Sequence, residues 1–195
     1  AWDFYRAIQP SPPRWSLCTI NPSFVLGPAL VPDGAATSVE TIVRMVAGKL
    51  PMIPRLPMSI IDVRDVAEAH IQALLATREE VDGRRFILEN GKLRLNDIAA
   101  MISDEFSPMG YRVPKLGLGA WPAWFLSFFV GELRSLVTFI DKDGTALDSS
   151  PSRDVLKLRL HDVKETVSDA AHSVVFHGLV SKTSGYKGKW VPPGA

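Results

Sequence analysis

Short apolar runs alternate with amphipathic stretches along the first ninety residues of the chain. Three of these runs have the length and the β-favouring content of buried strands: Trp15–Ile20, Met58–Ile61 and Arg85–Glu89. The stretches between them carry apolar residues at helical spacing. Strands that alternate with helices in this way are typical of a parallel α/β sheet. The sequence after residue 90 is richer in predicted helix and less regular, which indicates an appended lobe.

The helix predictions depend on caps and on apolar faces. Residues 2–8 are predicted to be the last turns of a helix, because apolar side chains recur at helical spacing. Thr37 or Ser38 is predicted to cap a helix over 39–47, and Asn96 a later helix that buries Ile98, Met101 and Ile102. A further helix is predicted to follow Asp62, with one apolar face formed by Val63, Val66, Ala67, His70 and Leu74. Another helix is predicted to follow Asp162 and to end at Gly178. Its apolar stripe is formed by Val163, Val167, Ala170, Ala171, Val174 and Val175.

Composition narrows the class of protein. The chain has 195 residues, is 46% hydrophobic and 22% charged, and has a formal net charge of +1. A nucleic-acid partner is not expected, because such proteins carry a clustered basic face. The single cysteine, Cys18, excludes an internal disulfide framework and suits a reducing compartment, so a cytoplasmic location is expected. No metal site is expected, because His161, His172 and His177 lack ligand spacing.

The uncharged stretch 116–131 is apolar enough to raise the question of membrane contact, which is not expected for this protein. It is shorter than the roughly 18–20 residues that a spanning helix needs, and Pro122 and three glycines interrupt it. A packed helix with an apolar lid surface is predicted. Contact with another subunit is the alternative, and membrane contact is the least favoured.

The strongest candidate site follows the first predicted strand. Ligands of open parallel sheets bind beyond the carboxyl ends of the strands, and Asn21-Pro22-Ser23-Phe24-Val25 occupies that position here. Pro22, together with Gly27 and Pro28 just beyond the segment, restricts the backbone, so that the amide and carbonyl groups of Ser23 to Val25 can face a planar carboxamide. An ordinary strand-to-helix turn explains the same spacing. The helix start at Ser38 is a second candidate, since free N–H groups and a cap hydroxyl suit a phosphate.

Three ordered motifs resemble a known family. INPSFVLGP, SIIDVRDVAEAHIQAL and GRRFILEN follow one another as in the second half of the extended short-chain dehydrogenase/reductases, which are part of the NAD-dependent epimerase/dehydratase superfamily. The sequence is most similar to the dihydroflavonol-reductase-like branch. AWDF resembles the segment just downstream of the catalytic Tyr-x-x-x-Lys of that family, and the stretch from Ser152 to Val180 resembles its closing helix.

The resemblance implies a fold, a cofactor and site residues. The fold would be α/β, namely the C-terminal part of a Rossmann-type parallel sheet plus a smaller mixed α/β substrate lobe. Residues 1–50 and 62–90 would complete the dinucleotide-binding domain, and 51–61 with 91–195 would form the lobe. NADP, or NAD, would be the cofactor. The cofactor would contact Pro22, Ser23, Phe24, Val25 and Ser38, and a small carbonyl substrate would contact Leu26, Ile53 and Met58.

The resemblance also implies that the chain holds no catalytic residue. The glycine-rich phosphate loop and the Ser/Thr-Tyr-Lys group of the family would lie upstream of Ala1, and Tyr5 is followed four residues later by Gln9. The missing N-terminal half of the same protein is therefore an expected partner, and a second copy of the chain is a candidate one. The expected activity of the parent protein is the NAD(P)H-dependent reduction of a ketone or aldehyde. A sugar-nucleotide epimerase or dehydratase, and a non-catalytic nucleotide-binding protein or fragment, remain alternatives.

Overall fold

A computed structural model describes residues 1–8, 15–32, 36–188 and 190–192, with the side chain of Glu132 excepted. A short 3-10 helix, Ser107–Met109, also occurs. The strands of the described part are β1 Thr19–Pro22, β2 Phe24–Leu26, β3 Ile53–Pro54, β4 Pro57–Asp62, β5 Arg85–Leu88, β6 Gly91–Arg94 and β7 Gly117–Leu118. The helices are α1 Trp2–Ile8, α2 Thr37–Val46, α3 Val63–Leu75, α4 Arg78–Val81, α5 Leu95–Phe106, α6 Ala120–Leu126, α7 Gly131–Leu136, α8 Ser150–Leu156 and α9 Val163–Phe176.

The strands form three small sheets in the described part of the chain. β1 pairs with β5, β2 with β4, and β3 with β7, each in parallel. β6 runs antiparallel to β4, which extends the second sheet to the order β2-β4-β6. Parallel pairs joined through helices confirm the α/β prediction. Strands β2, β3, β6 and β7 and helices α4, α7 and α8 were not predicted.

The first strand lies further along the chain than the apolar run predicts. β1 begins at Thr19, because Thr19 is the residue opposite Arg85, the first residue of β5. Trp15 lies before the first residue of β1 and is 63% exposed, and its carbonyl oxygen accepts a hydrogen bond from Arg78. The strand continues through Asn21 and Pro22, which the sequence analysis placed after the end of the strand.

Helix α3 buries a different face from the one that its apolar spacing predicts. Asp62 does cap it, accepting a hydrogen bond from the Arg64 backbone N–H. The buried residues are Asp65 and Ala69, however, whereas Leu74 of the predicted face is 85% exposed. The small Ala69 side chain faces the core, and Asp65 turns inward to bind His161. His70 is exposed, and its Nδ1 contacts the Val66 carbonyl oxygen, so it is not a core histidine.

Helices α2, α5 and α9 enclose the larger apolar core with strands β2 and β4. The predicted α9 stripe lies on the buried side, Asp162 accepts hydrogen bonds from the Lys164 and Glu165 N–H groups, and Gly178 ends the helix with φ +73°. In α5, the predicted burial of Ile98 and Ile102 is confirmed, but the N-cap is Arg94 rather than Asn96. A second core, which includes Phe86 and Leu156, lies among α3, α8 and β5.

The uncharged stretch 116–131 does not form one packed helix. Its only helix longer than one turn is α6, which turns Ala123 inward and leaves Trp121 78% exposed. Phe128 and Phe129 in the following turn are also exposed. No helix in the described part of the chain is long and apolar enough to span a bilayer.

Candidate functional site

The segment Pro22 to Val25 lies at the carboxyl edge of two parallel strands. Pro22 is the last residue of β1 and stands opposite Leu88, the last residue of β5. The Ser23 backbone N–H donates to the Leu88 carbonyl oxygen over 3.0 Å, and the chain then enters β2, where Phe24 stands opposite Ile60. The segment is therefore a rigid step from one sheet into the next rather than a loose loop. Pro22 is exposed, and Ser23, Phe24 and Val25 are half-buried.

Two polar side-chain atoms at this edge are buried without a hydrogen-bond partner among the described residues. They are Ser23 Oγ and Glu89 Oε1. Buried polar atoms are nearly always paired, so these two oxygens have hydrogen-bonding capacity that an ordered water or a ligand would satisfy. Glu89 was not predicted as a site residue. Its position, directly after a buried strand and at the same edge as Ser23, is the sequence signal that could have identified it.

Ser38 does not cap helix α2. The helix begins one residue earlier than Ser38, at Thr37, and its N-cap is Ala36 without a side-chain hydrogen bond. Ser38 and Leu26 line the same cavity of about 10 Å³, which is about the volume that one water molecule needs.

The predicted substrate residues all pack against the larger core. Leu26 is 4% exposed, Ile53 is 0% exposed, and Met58 is half-buried against the same cluster. Leu26, Ile53 and Met58 thus belong to the same large apolar cluster. Of the three, Met58 has the most accessible surface in this arrangement, and contact with a substrate stays a prediction for each of them.

A buried carboxylate fixes the end of β4. Asp62 is 1% exposed, and its two oxygens accept hydrogen bonds from the Arg64 backbone and guanidinium and from the Thr166 hydroxyl. Burial raises the pKa of Asp62, but the hydrogen bonds from Arg64 and Thr166 outweigh burial and hold the pKa below its ordinary value. Arg64 also pairs with Asp169 at 2.8 Å. This network ties β4, α3 and α9 together.

The chain does contain one Tyr-x-x-x-Lys spacing that was missed from the sequence, at Tyr111 and Lys115. On a helix the two side chains would share a face, but residues 111–116 are not helical. Tyr111 is 6% exposed and donates its hydroxyl to the Ser181 carbonyl oxygen over 3.2 Å. Lys115 instead pairs with Asp104. The arrangement gives Tyr111 no accessible proton to donate.

Two other histidines are paired with carboxylates. His161 Nδ1 lies 2.6 Å from Asp65 Oδ1, and His172 lies between Glu105 at 2.9 Å and the Tyr186 hydroxyl at 3.0 Å. Burial raises the pKa of Tyr186. Across the described ranges, no group of three or more His, Cys, Asp or Glu side chains could hold a metal ion.

Several known reductases are similar in sequence to this chain. No family model matches the sequence. The NADPH-dependent methylglyoxal reductase of Saccharomyces cerevisiae is 26% identical over 186 residues, which are 92% of this chain and 49% of that protein. A putative dihydroflavonol 4-reductase of Synechocystis is 26% identical over 196 residues, covering 92% of this chain and 54% of that protein.

The fold of a solved reductase matches as well. The crystal structure of the yeast methylglyoxal/isovaleraldehyde reductase complexed with NADPH superposes with a TM-score of 0.65 at 25% identity, over 92% of this chain and 49% of that one. The chain thus spans about half the length of the curated relatives it matches. These matches confirm the resemblance to extended short-chain reductases, including the dihydroflavonol-reductase-like branch, and the Rossmann-type α/β fold class.

Proposed function

We propose that this chain forms the nicotinamide-side wall and the substrate lobe of a cytoplasmic NADPH-dependent carbonyl reductase. The observation that carries the proposal is the rigid strand edge with the unpartnered, buried Ser23 hydroxyl. A carboxamide has both a donor and an acceptor, so it can satisfy a hydroxyl and backbone groups at once. Relatives that use NADPH, as their names state, support the choice of cofactor.

In this proposal the chain's own residues bind and orient rather than react. The backbone of Pro22 to Val25 holds the carboxamide, and Ser23 Oγ makes the hydrogen bond that it lacks among the described residues. Ser38 contacts a phosphate from the first turn of α2, where N–H groups are free. The bound cofactor supplies a hydride. The proton donor comes from a segment outside this sequence, because Tyr111 is buried and committed to Ser181.

The proposed substrate class rests on the apolar character of the predicted substrate residues. Met58 offers hydrocarbon surface and packs against the apolar cluster that contains Leu26 and Ile53, and none of these side chains can bind a charged diphosphate. We therefore propose a small or medium-sized apolar aldehyde or ketone as substrate.

Cofactor binding by the 195-residue chain tests the site. NADPH is expected to shift the backbone amide resonances of Ser23, Phe24 and Val25 in a titration followed by NMR, with weak affinity. Ser23→Ala is expected to weaken binding about two- to tenfold, the value of one hydrogen bond. Ser181→Ala, an exposed serine, is the matched control and should leave binding unchanged. Shifts confined to other parts of the chain would contradict the proposed site.

A substrate panel tests the activity in the complete gene product that contains this sequence. Oxidation of NADPH, followed by its absorbance, is expected with isovaleraldehyde and methylglyoxal, and no conversion is expected with sugar nucleotides. Epimerisation of a sugar nucleotide without net NADPH consumption would overturn the reductase proposal in favour of an isomerase. The isolated chain is expected to show no turnover with any of these compounds.

A further inference from the structure

A cavity of about 490 Å³ lies beside the first turn of α3, and the proposed reductase site makes no use of it. Its lining is almost entirely charged: Arg64, Asp65, Glu68, Lys157, Arg159 and His161. Three of these residues come from α3 and three from the segment that follows α8. Residues nearly a hundred positions apart therefore build one polar concavity.

The segment after α8 directs three side chains that can carry positive charge to one side. Leu156 and Leu158 are buried, whereas Lys157 and Arg159 between and beyond them are exposed, so the side chains alternate as in an extended strand. His161 continues the outward series. Lys157 adopts φ +52°, a left-handed conformation that is unfavourable for a residue with a side chain. Lys157 is the C-cap of α8, so this conformation ends the helix and turns the chain into the extended segment that follows.

His161 is held in place by a buried carboxylate. Asp65 is 2% exposed, and its oxygens face both the His161 backbone N–H, at 3.2 and 3.3 Å, and His161 Nδ1, at 2.6 Å. Because a carboxylate accepts, Nδ1 carries the proton of this hydrogen bond. Nε2 is the ring nitrogen left for a ligand, and the ring is oriented before any ligand arrives.

Among the charges of this cavity, two cations are available to a ligand. Arg64 is already paired with Asp62, Glu165 and Asp169. Lys157 and Arg159 make no salt bridge with any described residue, although Lys157 lies near enough to Glu80 to contribute, after the hydrogen bonds from Thr77, to the lowered pKa of that carboxyl. The opposing carboxylate at the rim is Glu68, which accepts a hydrogen bond from Gln72. A ligand with two negative charges would neutralise both free cations, and an arginine binds phosphate oxygens in pairs.

We propose that this cavity binds the phosphate group of a small phosphorylated molecule. Lys157 and Arg159 supply the charge, the imidazolium form of His161 donates from Nε2 to a phosphate oxygen, and Asp65, which accepts from Nδ1, positions the ring. Glu68 sets the affinity from the opposite side by repelling the anion. The site shares no residue with the strand edge proposed for nicotinamide, so the two proposals can fail separately.

Titration with inorganic phosphate and with glycerol 3-phosphate tests the site in the full chain. At constant ionic strength, the imidazole C–H resonances of His161 are expected to shift and to saturate, with a dissociation constant of about 1–10 mM. The double variant Lys157→Asn, Arg159→Gln is expected to weaken binding at least about tenfold. Asparagine tolerates the left-handed backbone, so the variant removes the charge without adding strain.

Matched variants separate a built site from general attraction. Arg153→Gln with Lys182→Gln removes the same charge from exposed positions outside the cavity and should leave the affinity within about twofold. Glu68→Gln should tighten binding about two- to fivefold. Ser23→Ala should change neither phosphate affinity nor the His161 shifts. A shift that stays linear in phosphate, or an equal loss in the control pair, would overturn the proposal. If the double variant unfolds, Arg159→Gln alone must still weaken binding about threefold.

Discussion

Replacing Gly27 with alanine is expected to destabilise the chain by about 2–4 kcal/mol. Gly27 follows β2 with φ +118°, a conformation that essentially only glycine adopts. A Cβ at this position would lie 2.9 Å from Val63 Cγ1 and 3.0 Å from Asp62 Oδ1. Asp62 cannot yield, because its oxygens are held by Arg64 and Thr166. The free energy of unfolding, measured by urea denaturation with tryptophan fluorescence, checks this expectation.

Two other glycines separate backbone strain from steric overlap. Gly83 has φ +73° and nothing within 4 Å of a Cβ, so Gly83→Ala is expected to cost about 1–2 kcal/mol from strain alone. Gly131 has open space and no positive φ, so Gly131→Ala is expected to stay within about 0.5 kcal/mol of the native chain. If Gly27→Ala cost no more than Gly83→Ala, the close approach of Gly27 to Asp62 would be contradicted.

Replacing Asp62 with alanine is expected to cost about 2–4 kcal/mol. The change removes the acceptor of the Arg64 and Thr166 hydrogen bonds and leaves a partly buried guanidinium with fewer partners. It also removes the cap of α3. Asp162→Ala is the matched control, because Asp162 caps α9 but is exposed, and its loss is expected to cost about 1 kcal/mol. Equal losses in the two variants would show that Asp62 acts only as a cap.

The pH dependence of stability gives a second measure of Asp62. Its folded-state pKa lies below the ordinary aspartate value of about 3.9, so its contribution is fully present above that value and is lost as pH falls through the folded pKa. The difference in unfolding free energy between the native chain and Asp62→Asn is therefore expected to be constant above about pH 5 and to shrink below about pH 4. A constant difference down to pH 2 would contradict the lowered pKa.

The sequence predicted the position of the strand edge at Pro22 to Val25, but it did not predict which polar side chains lie there. The prediction of a rigid segment at Pro22 to Val25 rested on its position after an apolar run and on the prolines and the glycine in and just beyond it, and the structure places it at the end of β1 and β5. Glu89 was missed, because the burial of its carboxyl oxygen depends on what packs around the end of β5. Ser38 was assigned a capping role on residue type alone, and the helix begins before it.

By itself, the sequence determined the elements whose signals are local. Alternating strands and helices, the cap at Asp162, the stop at Gly178 and the inward stripe of α9 all follow from spacing and backbone preferences over a few residues. The class of fold followed from their order. The order of the motifs also indicated the family resemblance, which the relatives confirm.

Only the tertiary structure decided which faces and groups meet. Helix α3 has an apolar stripe ending at Leu74, yet it buries Asp65 and Ala69, because His161, 96 residues away, supplies the partner that a buried carboxylate requires. The same contact creates the charged cavity. Tyr111 and Lys115 have a catalytic spacing but no shared helix, so the spacing carries no chemistry. Periodicity records neighbours along the chain, whereas the burial of a polar group is decided by partners that only the folded chain brings together.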